Sequence, residues 1–181
     1  MPLDLTDPRP RAASLLSDAR RHLAAGHFEE ALSVLAGRAR RREGPTALAA
    51  LLRCDALAAL LRHPEALAVA SRALQSGTPD ADLRTRLRIA RGTALCAGGR
   101  AGAGRAELQR ALEVAECPPT RARALEALAA AAWRDQELNR AAELATEAAT
   151  VHEEQASLSG LARALGIQAC VLADTGRLDE A

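Results

Sequence analysis

Five segments decide the reading: AGHFEEAL (residues 25–32), LRHPEALA (61–68), GRAGAGRA (99–106), QELNRAAE (136–143) and GRLDEA (176–181). Each joins one apolar-periodic stretch to the next through a short break. Each also sets a small residue at the opening of the second stretch: Ala31, Ala66, Gly104, Ala141 and Ala181, at intervals of 35, 38, 37 and 40 residues. Such a period is too long for a heptad coil. It fits a helix–turn–helix repeat, in which one pair cannot bury its apolar face alone and neighbours must cover one another.

Outward from these turns, the breakers fall between repeats. Gly44-Pro45, Gly77-Thr78-Pro79 and Pro118-Pro119 cannot continue a helix, and Ser157–Gly160 supplies a fourth junction. The stretches between them predict helices over 11–25, 29–42, 46–61, 64–76, 80–97, 101–115, 119–134, 138–155 and 159–175. Their apolar spacing agrees: Leu15, Ala19 and Leu23 follow i, i+4, i+8, and Ala141, Leu144, Ala145 and Ala148 follow i, i+3, i+4, i+7. Composition points the same way. Hydrophobic residues make up 49% of the chain, chiefly Ala and Leu, with one Phe, one Trp and no Tyr. Ala, Leu, Arg and Glu are good helix formers, whereas strands favour β-branched and aromatic side chains. Residues 1–10, with prolines at 2, 8 and 10, read as an extended arm.

The pattern resembles the tetratricopeptide repeat. The small residue midway along the first helix corresponds to Ala19, Cys54, Gly92, Ala129 and Ala169. The turn glycine corresponds to Gly26, Gly99 and Gly176, with Leu61 and Gln136 departing. The small residue late in the second helix corresponds to Ala73, Ala111 and Ala148, with Arg38 in the first repeat. The large first-helix position is taken by Leu15, Ala50, Arg88, Leu125 and Leu165, so Arg88, and Arg91 beside it, stand where apolar residues are expected. The periods exceed the family's usual 34 or so, as in a longer-period branch found in bacterial regulators and signalling proteins. The resemblance implies an all-α, right-handed α-α superhelix over residues 11–181: four antiparallel helix pairs and the first helix of a fifth. It leaves Leu165, Ala169 and Leu172 without a partner helix and implies that the array continues beyond residue 181.

It also implies a concave groove lined by first helices. Family positions that face ligand become Arg20, Asp55, Arg86, Thr93, Arg123, Glu126, Trp133, Arg134, Arg163, Cys170 and Asp174. Arg86, Arg123 and Arg163 take the same place in successive repeats and make a ladder of guanidinium groups suited to carboxylates. The expected activity is a protein-interaction scaffold holding a peptide or helix, with an acidic peptide or its own downstream domain as partner. The alternative is the sensory or autoinhibitory arm of a larger bacterial transcription regulator, kinase or effector protease. The Lys and Asn residues of the familiar chaperone-tail clamp are missing.

Nothing suggests catalysis or a cofactor. Cys54, Cys96, Cys117 and Cys170 lie too far apart for CxxC spacing, and no HExxH, GxSxG or P-loop sequence occurs. The run CAGGRAGAGR (96–105) precedes a helix but lacks Lys-Ser/Thr and a preceding strand, so its glycines serve a turn. His27 and His63 fall at turns, where solvated imidazoles are expected. With 24 Lys+Arg, every one Arg, against 23 Asp+Glu, the net charge of +1 gives no field for nucleic acid or an anionic membrane. The N-terminus has no apolar signal core, and no run of about 20 residues escapes a charge. The expected location is the cytoplasm.

Overall fold

Start and stop signals place the helices. The computed structural model describes residues 8–40, 46–77 and 80–176. In order they form α1 (Pro8–Ala24), α2 (Phe28–Arg40), α3 (Ala47–Ala59), α4 (His63–Gln75), α5 (Ala81–Ala97), α6 (Ala101–Glu113), α7 (Pro118–Arg134), α8 (Leu138–Glu154) and α9 (Leu158–Asp174). No strand is present among the described residues. Thr46 caps α3 by accepting from the Ala49 amide at 3.2 Å, and Asp80 caps α5 by accepting from Leu83 at 2.9 Å. Pro118 and Pro119 open α7, where their missing N–H groups have no helical partner anyway. α1 begins at Pro8, where 11 was expected; residues 1–7 lie outside the described residues, as do Ala181, the side chain of Arg38 and the junctions at 44–45 and 78–79.

The turn inside each pair is one motif repeated. Gly26, Leu61, Gly99 and Gln136 have φ of 76°, 58°, 78° and 62°. At each, the left-handed residue donates to the carbonyl three back and the next residue to the carbonyl five back: Gly26 to Leu23 and His27 to His22, Leu61 to Ala58 and Arg62 to Leu57, Gly99 to Cys96 and Arg100 to Leu95, Gln136 to Trp133 and Glu137 to Ala132. This is the glycine-favouring C-terminal motif that satisfies otherwise orphaned carbonyls. The leucine and glutamine that depart from the glycine pattern adopt the same conformation, at a steric cost of about 1–2 kcal/mol each. The same motif recurs at Ala156 (φ 50°) between α8 and α9, where Ala156 donates to Glu153 and Ser157 to His152, so it is tied neither to glycine nor to the turn inside a pair.

The chain divides into two compact units, Met1–Thr78 and Pro79–Ala181. In the first, α1 packs on α2 and α3, and α3 on α2 and α4. In the second, α5 packs on α6 and α7, α7 on α6, α8 and α9, and α8 on α9. Neighbouring helices thus pair in sequence order, and each first helix also touches the next first helix of its unit.

Small residues hold the pairs together. Ala19 and Ala31 are fully buried, as are Ala129 and Ala141. The Cys54 thiol donates to the Ala66 carbonyl at 3.6 Å. Gly92 and Gly104 meet so closely that a Cβ on Gly104 would lie 2.7 Å from the Gly92 carbonyl oxygen. Arg88 and Arg91, at positions expected to be apolar, reach across to the buried Glu107 of α6 at 4.0 and 2.7 Å. An ion cluster therefore fills that place in the third pair.

Candidate functional site

A residue that touches the neighbouring first helix lies on the side where first helices meet, and in the second unit three such contacts define a common face. Thr120 of α7 donates to Asp82 of α5 at 2.5 Å. Arg163 of α9 donates to Glu126 of α7 through Nε at 3.1 Å and Nη2 at 3.3 Å. The Trp133 indole N–H of α7 donates to Asp174 of α9 at 2.7 Å. The structure thereby brings together two pairs of sequence-predicted residues, Glu126 with Arg163 and Trp133 with Asp174.

The remaining predicted residues are placed as follows. Arg86 sits one turn beyond Asp82, 4.0 Å from its carboxylate. Arg123 is exposed on α7 and has an interaction partner. Helical spacing continues its stripe through Ala127 and Ala130, both half-buried, to the exposed Arg134. Thr93 is half-buried on α5 and Cys170 exposed on α9. In the first unit, Arg20 is exposed on α1 and Asp55 is half-buried on α3 and engaged. Trp133 packs its ring against the apolar core while its N–H reaches the polar face. It combines packing with polar recognition.

Sequence reasoning missed the centre of this face. His152 of α8 is buried, and its Nε2 lies 2.7 Å from Glu126 Oε1. Glu126 is thus gripped from α8 by an imidazole and from α9 by a guanidinium, joining three helices through one carboxylate. Gly160 makes room for the imidazole: a Cβ there would lie 2.1 Å from His152 Nδ1. A signal was available, because His152 continues the buried stripe Ala141, Leu144, Ala145, Ala148 at i+11. Asp82 and Thr120 were also missed; both sit in first turns, where polar residues are ordinary.

Burial, and then the Asp55 charge, push the Cys54 thiol from 9.0 up to about 12, so it stays protonated. Asp82, followed by partial desolvation, raises the Cys117 thiol. His27 is exposed as expected at a turn, but His63 is half-buried with Nδ1 enclosed and unbonded. Among the described residues no group of His, Cys, Asp and Glu is placed to hold a metal ion, and no helix is long and apolar enough to cross a membrane.

No family model matches the sequence, and no curated protein does either. Among solved structures the chain is similar to Bacillus thuringiensis PlcR in complex with the peptide PapR7 and DNA, with a TM-score of 0.77 at 11% identity. The likeness covers 96% of this chain and 66% of that one, and at this identity it shows a shared helical-repeat fold.

Proposed function

We propose that this chain is a tetratricopeptide-type binding module of a bacterial regulator, holding an acidic peptide or helix along the shared face of α5, α7 and α9. One observation carries the reading. A guanidinium recurs at 86, 123 and 163 along three adjoining first helices, beside the small side chains of Ala127 and Ala130, which leave room for a bound backbone. Arg86, 4.0 Å from Asp82, and Arg163, 3.1 Å from Glu126, are held in fixed positions before a partner arrives. The likeness in fold to a protein crystallised with a peptide supports this reading. The module works by binding, without turnover or cofactor, in the cytoplasm.

Titration of labelled acidic peptides, followed by anisotropy and by the single Trp133, tests it. Arg123→Glu should weaken binding by about 1–3 kcal/mol, with the loss shrinking as salt is added. Unchanged affinity after that charge reversal removes the guanidinium face from consideration.

The alternative, a sensory or autoinhibitory arm within a larger regulator, is favoured by the likeness to a longer protein bound to DNA. The full reading frame separates the two: a stop soon after a further helix pair sinks the arm.

A further inference from the structure

One carboxylate joins the proposed binding face to the interior. Glu126 stands on α7 with its side chain only 11% exposed and both oxygens engaged. Oε2 accepts from Arg163 Nε at 3.1 Å, and Oε1 is shared between Arg163 Nη2 at 3.3 Å and His152 Nε2 at 2.7 Å. Arg163 is the outer member of this row, with 51% of its side chain in solvent, and His152 the inner one, with 4%. Gly160 lies flat against the imidazole, so the ring is held in place beside Glu126. The row runs from a cation at the surface, through a carboxylate, to an imidazole in the core.

The charges around His152 are few. Among the described helices α8 packs on α7 and α9 alone, and those two carry six charged side chains. Glu126 and Arg163 form the row. Arg121 pairs with Glu147 at 2.9 Å, and Arg123, one turn before Glu126, is exposed and engaged. Arg134 and Asp174 lie about 12 Å or more further along their helices. On α8 itself, Glu153 and Glu154 are exposed. The charge closest to His152 is therefore set by Glu126 and Arg163.

With a neutral imidazole the row is balanced, one guanidinium answering one carboxylate. A partner carboxylate that takes the remaining N–H donors of Arg163 puts two carboxylates on one guanidinium. The row then carries a net negative charge, which the partner also shields from water. A proton on His152 restores neutrality, because the imidazolium donates to Glu126 Oε1 with a full charge behind it. We propose that His152 takes up a proton as an acidic partner binds, so that the face holds carboxylates more tightly as pH falls through the histidine range. This rests on the reading of the face as the site of an acidic partner. The bound state holds more protons than the free state, so acid favours binding, by at most about tenfold per pH unit for one proton. Partner glutamates stay ionised throughout, since they titrate near about pH 4.3.

Binding of a labelled hexaglutamate peptide to the 181-residue chain at constant ionic strength tests the proposal. Affinity should rise about three- to tenfold from about pH 8 to about pH 6. Calorimetry near about pH 7 in phosphate and in Tris, whose ionisation heats differ, should count uptake of roughly half to one proton. Binding with a level pH profile and no proton uptake overturns the inference and leaves the guanidinium face standing. No binding at any pH removes the face, and the inference with it. His152→Gln keeps a donor towards Glu126 and should bind with a level profile; a profile as steep as that of the unaltered chain assigns the proton elsewhere and overturns the proposal. Nuclear magnetic resonance of the four imidazoles reads the same step without substitution. Saturating peptide should move the titration of His152 to higher pH and leave His22, His27 and His63 where they were. An unmoved His152 also overturns it.

Discussion

The two compact units solve the same packing problem with different residues. In the first, α3 is leucine-rich and buries Leu51, Leu52 and Leu57, each contributing about 2 kcal/mol by leaving water. In the second, α7 is alanine-rich, burying Ala122, Ala124, Ala129, Ala131 and Ala132 beside Leu125 and Leu128. Alanine removes little area from water, so helices must come close and gain cohesion elsewhere. Polar ties between helices supply it: Thr120 to Asp82, Arg121 to Glu147 at 2.9 Å, Gln168 to Thr146 at 2.8 Å, and Glu126 to both His152 and Arg163. The first unit shows a looser tie, Arg62 to Glu29 at 3.6 Å. Replacing apolar area by directed polar contacts also creates a surface with recognition chemistry. The candidate site accordingly falls in the alanine-rich unit.

The largest effect is expected at the Gly92–Gly104 crossing. Gly104→Ala pushes a methyl against the Gly92 carbonyl and should cost the second unit about 3 kcal/mol, read by Trp133 fluorescence during urea unfolding. A cost below about 1 kcal/mol would mean that close backbone packing is not what holds this unit. Next comes the three-helix node: Glu126→Ala strips His152 and Arg163 of their acceptor and should cost about 2 kcal/mol by the same assay.

The turns probe both units at once. Leu61→Gly in the first and Gln136→Gly in the second should each stabilise by about 0.5–1 kcal/mol, relieving a left-handed non-glycine residue. A gain in one unit alone would show that the shared motif carries different strain in the two. The smallest effect is the pH response of Cys54. Its folded value lies above its unfolded one, so its contribution to stability is complete below about pH 9 and is lost as pH rises towards 12. At pH 8 the exposed Cys170 should alkylate rapidly while Cys54 stays protected; equal rates would show the leucine-rich unit opening freely.

Much of the fold was legible because helix formation here is local. Proline between repeats and glycine at the turns mark the ends, and apolar spacing marks the faces; the caps Thr46 and Asp80 were seen only in the structure. The candidate site was half legible. Glu126, Arg163, Trp133 and Asp174 could be named from repeat positions. Their partnership could not, because Glu126 meets Arg163 across 37 residues and Trp133 meets Asp174 across 41. His152 was hidden in a stripe of alanines, and its role depends on Gly160 eight residues on.

By itself, then, the sequence determined an all-helical chain, its period, its paired helices and the small residues at their crossings. These follow from backbone hydrogen bonds within a helix and from side chains one turn apart, and both are short-range. Only the tertiary structure decided that Arg88 and Arg91 answer a buried Glu107, that Leu61 and Gln136 turn left-handed like the glycines, and that one carboxylate ties three helices. Each of these balances a desolvated charge or a strained backbone against neighbours distant in sequence, and such balances exist only once the helices have packed.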